Sequence, residues 1–95
     1  MTIKLVKTCA GCPEQYDAFI GDRQVGFLRL RHGIFTVDCP DECGFEVYNA
    51  APKGDGIFDD DERDYYLRHA VAAIQRWVET GETRPPAPDV TYEVE

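Results

Sequence analysis

Two runs rich in apolar residues, Gln24 to Arg31 and Ile34 to Asp38, flank the dipeptide His32-Gly33. A two-residue connection with Gly at its second position is a hairpin signal, because such turns need positive φ, which Gly adopts freely. A hairpin centred on His32-Gly33 sets Leu30 opposite Phe35 and Leu28 opposite Val37, with all four on one face. Gln15 to Ile20 reads as the preceding strand. A three-residue turn at Gly21-Asp22-Arg23 then sets Tyr16 opposite Leu28 and Ala18 opposite Gly26, again on that face. A slip of one residue would turn every apolar side chain outward, so this agreement between two separate hairpins predicts an antiparallel meander.

The remaining elements follow from pattern. Ile3 to Lys7 alternates and reads as a first strand, and Phe45 to Tyr48 as a fifth. Between them, Thr8 to Pro13 and Cys39 to Gly44 read as tight turns, and Pro52 to Gly56 as a breaker-rich loop. Asp59 to Thr80 reads as a helix of about six turns. Its apolar stripe is Leu67, Ala70, Val71, Ile74, Trp77 and Val78. Asp59 and Glu62 have the spacing of a capping box, and Gly81 suits the position after the helix. Pro85, Pro86 and Pro88 make residues 82–89 an extended stretch. Val90 to Val94 alternates and reads as an added edge strand or a tail. The expected fold is α+β: a curved antiparallel meander of four to five strands with one long C-terminal helix on one face. Residues 1–81 form the domain and 82–95 the tail. A length of 95 residues with 43% apolar content supports one modest core.

Charge narrows the function. The formal net charge is -8, which argues against direct binding to nucleic acid, where Lys and Arg must neutralise phosphates. Residues 1–48 carry five Lys/Arg and seven Asp/Glu, whereas residues 49–95 carry five and eleven. An acidic surface favours a basic partner or mimicry of a polyanion such as DNA. No apolar run approaches the roughly 20 residues that span a bilayer. The opening Met1 to Lys7 is too short and too charged for a signal peptide, so the expected location is cytoplasmic.

Four cysteines form two close pairs, Cys9/Cys12 and Cys39/Cys43. Four thiolates at tetrahedral corners would suit zinc. Three predicted strands lie between the pairs, however, and an odd number leaves the two turns at opposite ends of the sheet. Six residues per strand would separate them by about 20 Å. Structural zinc and plain free thiols are therefore alternatives. A redox role for Cys9-Ala10-Gly11-Cys12 would need a helix after the pair, and a strand is predicted there.

Asp59-Asp60-Asp61-Glu62, with Asp55 and Asp64 nearby, is the densest charge cluster. First-turn carboxylates stabilise a helix by roughly 0.3–1 kcal/mol each, which accounts for Asp60, Asp61 and Glu62 but needs neither Asp55 nor Asp64. Arg29, Arg31 and His32 form a small basic patch. Phe27, Val25, Phe19 and Ile34 are expected beside Arg29 and Arg31 on the outer face, either as an Arg-rimmed contact surface or covered by Val90, Tyr92 and Val94. His32 and His69 read as turn and surface residues. No nucleophile, base and acid can be placed as a catalytic set, and no glycine-rich phosphate loop is present.

Cys12 to Asp17, Gln24 to Gly33, and Gly54 to Phe58 together resemble small acidic proteins of bacterial phages and mobile elements. That resemblance implies an accessory protein acting on a host protein in the bacterial cytoplasm, and it includes anti-CRISPR proteins. The hairpin around Gln24-Val25-Gly26 also resembles the central strands of N-acetyltransferases. The chain lacks their pyrophosphate loop and is short for that fold, so the activity is not carried over.

The expected function is a non-enzymatic protein-binding module. Asp55, Asp59, Asp60, Asp61, Glu62 and Asp64 would oppose a basic surface on a nucleic-acid-handling protein, and Phe27, Arg29 and Arg31 would offer a second contact. No cofactor is required by this reading. The alternatives are a structural-zinc domain using Cys9, Cys12, Cys39 and Cys43, and a small acetyltransferase-like enzyme. Edge strands leave both monomer and homodimer open.

Overall fold

A computed structural model describes residues 2–9, 13–81 and 91–95. Six strands and one helix follow in the order β1 (Ile3–Lys7), β2 (Glu14–Ile20), β3 (Arg23–Arg31), β4 (Ile34–Cys39), β5 (Phe45–Ala50), α1 (Arg63–Thr80) and β6 (Tyr92–Val94). The sheet order is β5-β4-β3-β2-β1-β6. Strands β1 to β5 form an antiparallel meander, and β6 joins β1 in parallel. The fold is α+β, an open sheet with a single helix packed on it.

The turn at His32-Gly33 has positive φ at both residues, 54° and 76°, the twist that matches flanking strands. It delivers the expected pairs Leu30↔Phe35 and Leu28↔Val37. His is among the non-glycine residues that enter this conformation, but Asn before Gly is the preferred pair for such a turn. His32→Asn is therefore expected to raise stability by about 0.5 kcal/mol, measured as an increased urea midpoint at unchanged slope.

The β2–β3 hairpin reaches the expected pairs by another route. Tyr16↔Leu28 and Ala18↔Gly26 form, but Ile20 pairs with Arg23, so the turn is only Gly21-Asp22. A bulge between Ala18 and Phe19 makes up the missing residue: Val25 falls between the pairs Ala18↔Gly26 and Phe19↔Gln24. A bulge places two successive side chains on one side. Val25, expected on the outer face, is consequently in the core at 1% exposure.

One face of the sheet meets α1. Ile3, Leu5, Tyr16, Ala18, Leu28, Leu30, Phe35 and Val37 pack against Leu67, Ala70, Val71 and Ile74, as the helical stripe requires. Trp77 and Val78 lie partly buried at its far end. Gly81 closes the helix in the left-handed region and donates its N–H to the Trp77 carbonyl. The helix begins at Arg63 rather than Asp59, for reasons that lie in the preceding loop.

Among the described residues, the C-terminal segment does not cover the outer face. Tyr92 and Val94 pair with Ile3 and Leu5 at the edge beyond β1, with two strands between them and β3. Val90 and the proline-rich stretch lie outside the described residues. Each sheet edge offers only a short regular rim. The free edge of β5 is interrupted by a bulge between the pairs Val37↔Tyr48 and Asp38↔Glu46, and β6 has three residues. Among the described residues, no helix is long and apolar enough to cross a membrane.

Candidate functional site: an acidic shoulder at the helix start

Residues 51–62 connect β5 to α1 and carry most of the acidic cluster. Two carboxylates shape this loop from within. Glu62, expected among the surface acids, is instead buried. It accepts the backbone N–H groups of Lys53 (2.9 Å), Gly54 (2.9 Å) and Asp59 (3.0 Å). The last is the reach-back half of the capping box, but Asp59 does not return it as a side-chain cap. Burial acts to raise the Glu62 carboxyl, and the three N–H groups outweigh it, holding it below its ordinary value. The chain is tight here: a Cβ on Gly54 would lie 2.0 Å from the Ile57 carbonyl oxygen.

The second carboxylate is Glu14, at the start of β2, with its side chain fully enclosed. It receives Arg63 Nε at 2.9 Å, the Phe58 N–H at 3.0 Å and the Tyr16 hydroxyl. Arg63 also donates to the Phe58 carbonyl at 3.0 Å and to Asp60 at 2.6 Å. Burial pushes the Glu14 carboxyl up, but hydrogen bonds from Arg63, Tyr16 and Phe58 hold it below the ordinary carboxylate range. The same burial, with the Glu14 charge, drives the Tyr16 hydroxyl well above its ordinary value. The Glu14 backbone N–H reaches the Gly56 carbonyl at 2.6 Å. Thus β2 grips the loop through both its main chain and its side chain.

With two glutamates turned inward, the aspartates point out. Asp55, Asp59, Asp60, Asp61 and Asp64 are all exposed. Lys53 contacts Asp61 at 3.0 Å and Asp59 at 3.7 Å. Arg63 takes Asp60, and Arg68 takes Asp64 at 2.8 Å. Asp64 also accepts the Tyr92 hydroxyl at 2.8 Å, tying the helix to β6. Exposed ion pairs of this kind contribute little to stability. Only Asp64 lies in the first turn of the helix, so Asp55, Asp59, Asp60 and Asp61 precede it. Among these acids stand two exposed apolar groups, Ile57 and Tyr65. The Tyr65 ring packs on His69 at 4.2 Å, with Tyr48 beyond at 5.9 Å.

The second expected contact lies on the other face. Phe27 is 7% exposed rather than open, because the Arg29 guanidinium lies over its ring at 5.0 Å. Its cross-strand neighbours are Asp17 and Asp38, and burial raises the carboxyls of both. Arg29 is drawn toward Glu42 at 3.6 Å. Arg31 is exposed at the end of β3, and Ile34 stands exposed opposite it. The nine expected contact residues therefore divide between the two sides of the sheet. Asp55, Asp59, Asp60 and Asp61 lie on the loop before the helix, Asp64 faces Tyr92 of β6, Glu62 is withdrawn inside, and Phe27, Arg29 and Arg31 belong elsewhere.

The cysteines are also divided. Strands β2, β3 and β4 all form, so Cys9 follows β1 at one end of the sheet while Cys39 and Cys43 stand at the other. Cys39 is fully buried in the core, its thiol pushed up to about 12 by burial and the Asp38 charge. Cys43 is exposed and Cys9 half-buried, and Cys12 lies outside the described residues. Among the described residues, no three His, Cys, Asp or Glu side chains are grouped to hold a metal ion. Comparison with protein-family models, curated proteins and solved structures finds no match.

Proposed function

We propose that this chain is a non-enzymatic protein-binding module whose acidic shoulder docks against a basic protein surface. One observation carries the reading. Glu62 and Glu14 fix the loop backbone from inside, so Asp55, Asp59, Asp60 and Asp61 are held outward at set positions beside Ile57 and Tyr65. Preorganised charge around an apolar anchor gives fast, specific association without the cost of ordering a loop on binding. The sequence resemblance to phage and mobile-element proteins supports a host nucleic-acid-handling protein as the partner, an anti-CRISPR target among them.

The test compares two triple variants with the same change in net charge. Asp55, Asp59 and Asp61 are replaced by Ser in one, and the exposed Asp22, Glu79 and Glu93 in the other. Association with a Lys/Arg-rich peptide is followed by surface plasmon resonance over a salt series. The shoulder variant is expected to lose about tenfold in on-rate and much of its salt dependence, the control less than about twofold. Equal losses in the two variants would reduce the effect to net charge and remove the shoulder from the proposal.

A further inference from the structure

We infer that residues 51–62 form a separate cooperative unit, which opens and closes on the rest of the domain with Glu62 as its latch. The anchorage is of two kinds. Phe58 is the deeply buried apolar side chain of the segment, at 2% exposure, seated on Phe35 at 4.9 Å and Tyr66 at 5.6 Å. Everything else that fixes the loop is polar. Glu62 gathers three N–H groups from positions 53, 54 and 59. Glu14 receives the Phe58 N–H and gives its own N–H to Gly56. Ala51, Lys53, Asp55, Ile57, Asp59, Asp60 and Asp61 face solvent. A segment with one apolar anchor and a polar latch belongs to the low-stability end of a structure, where local opening precedes global unfolding.

The two sets of bonds cannot break independently. Releasing Glu62 frees the chain on both sides of Gly54-Gly56 and removes the geometry that presents Gly56 and Phe58 to Glu14. The device rests on the reading of this loop as the contact surface: only the closed loop holds the shoulder aspartates in place, so apparent affinity scales with the closed fraction. Glu62 thereby acts as a positioning residue for a surface it does not itself join.

Amide hydrogen exchange on the full chain tests the unit without any partner, so its outcome is independent of whether the shoulder binds a basic protein. In Glu62→Gln, the amides of Lys53, Gly54 and Asp59 lose their carboxylate acceptor. The amides of Phe58 and Glu14, whose acceptors are Glu14 and Gly56 rather than Glu62, are the reporters. All five are expected to exchange at least tenfold faster, while Leu28, Leu30 and Val37 are unchanged. Acceleration confined to Lys53, Gly54 and Asp59 would overturn the cooperative unit, as would no acceleration at all or an equal rise in the β3 and β4 amides. Exchange of the unmutated protein in low urea gives the same decision if the variant folds poorly. The five amides must then share one opening constant, with a shallower urea slope than the sheet amides.

Discussion

Arg63→Met should destabilise the protein by about 3 kcal/mol and reverse the sign of Glu14's share of its acid response. The variant keeps most of the packing volume but leaves Glu14, fully enclosed, without its cation. Breaking a buried pair from one side typically costs roughly 3–5 kcal/mol. The Tyr16 hydroxyl and the Phe58 N–H remain as partners, which sets the expectation at the lower end. In the native protein the Glu14 carboxyl is held below its ordinary value. Its contribution is therefore present above the unfolded pKa and is lost as pH falls through the folded one. Without Arg63, burial dominates and the carboxyl is raised, so its stabilising form becomes the protonated one. Glu14's share of stability should then fall as pH rises above the ordinary carboxylate range, the opposite of its sign in the parent, while Glu62 and Asp64 keep theirs. Urea unfolding at several pH values reads both effects, and parallel pH profiles would show that the pair does not govern Glu14.

Phe35→Ala should cost about 4 kcal/mol. Phe35 is wholly buried in the middle of β4. Its ring meets Phe58 at 4.9 Å, Tyr48 at 6.1 Å and Tyr66 at 6.2 Å, each edge to face. Those three come from the loop, β5 and α1, so one side chain joins β4 to the three segments that follow it directly in the chain. Truncation leaves a cavity that no single element can collapse to fill. Phe35→Leu retains most of the volume and should cost under about 1.5 kcal/mol. Chemical denaturation of both variants separates cavity from chemistry: similar losses would mean that the aromatic edge contacts, rather than filled space, matter.

The parts of this fold that a reader of the sequence can recover are those governed by period and turn chemistry. The His32-Gly33 hairpin and the stripe from Leu67 to Val78 are local patterns, and they form as such. The β2–β3 pairing was also legible, though through two compensating errors. A three-residue turn was expected where a two-residue turn and a bulge occur, and each route moves the register by the same amount. Val25 fits either face by chemistry, so nothing local marked it as the bulged residue. The helix start misled because Asp59 and Glu62 do satisfy half of a capping box, while the other two bonds of Glu62 come from Lys53 and Gly54. The buried pair Glu14–Arg63 spans 49 positions and leaves no local signature. One clue existed: extending β2 back by one residue sets Glu14 opposite Leu30, on the inward face beside Tyr16. A carboxylate at an inward register position demands a partner.

The parallel strand β6 gives the sheet an unusual assembly order. Strands β1 to β5 lie side by side in the order in which the sequence supplies them, so each hairpin can close through a short loop as the chain emerges from the ribosome. The pairing of Ile3 with Tyr92 joins the two extremes of the sequence, and its long loop-closure entropy is met only after the meander exists. Until then the outer rim of β1 stands bare. Strand β6 thus serves as a late seal on β1, reinforced by the Tyr92–Asp64 and Lys4–Glu95 contacts. A fusion partner attached after Glu95 would have to leave the sheet beside Lys7, whose N–H is bonded to the Glu95 carbonyl. Tags placed there would test the seal directly.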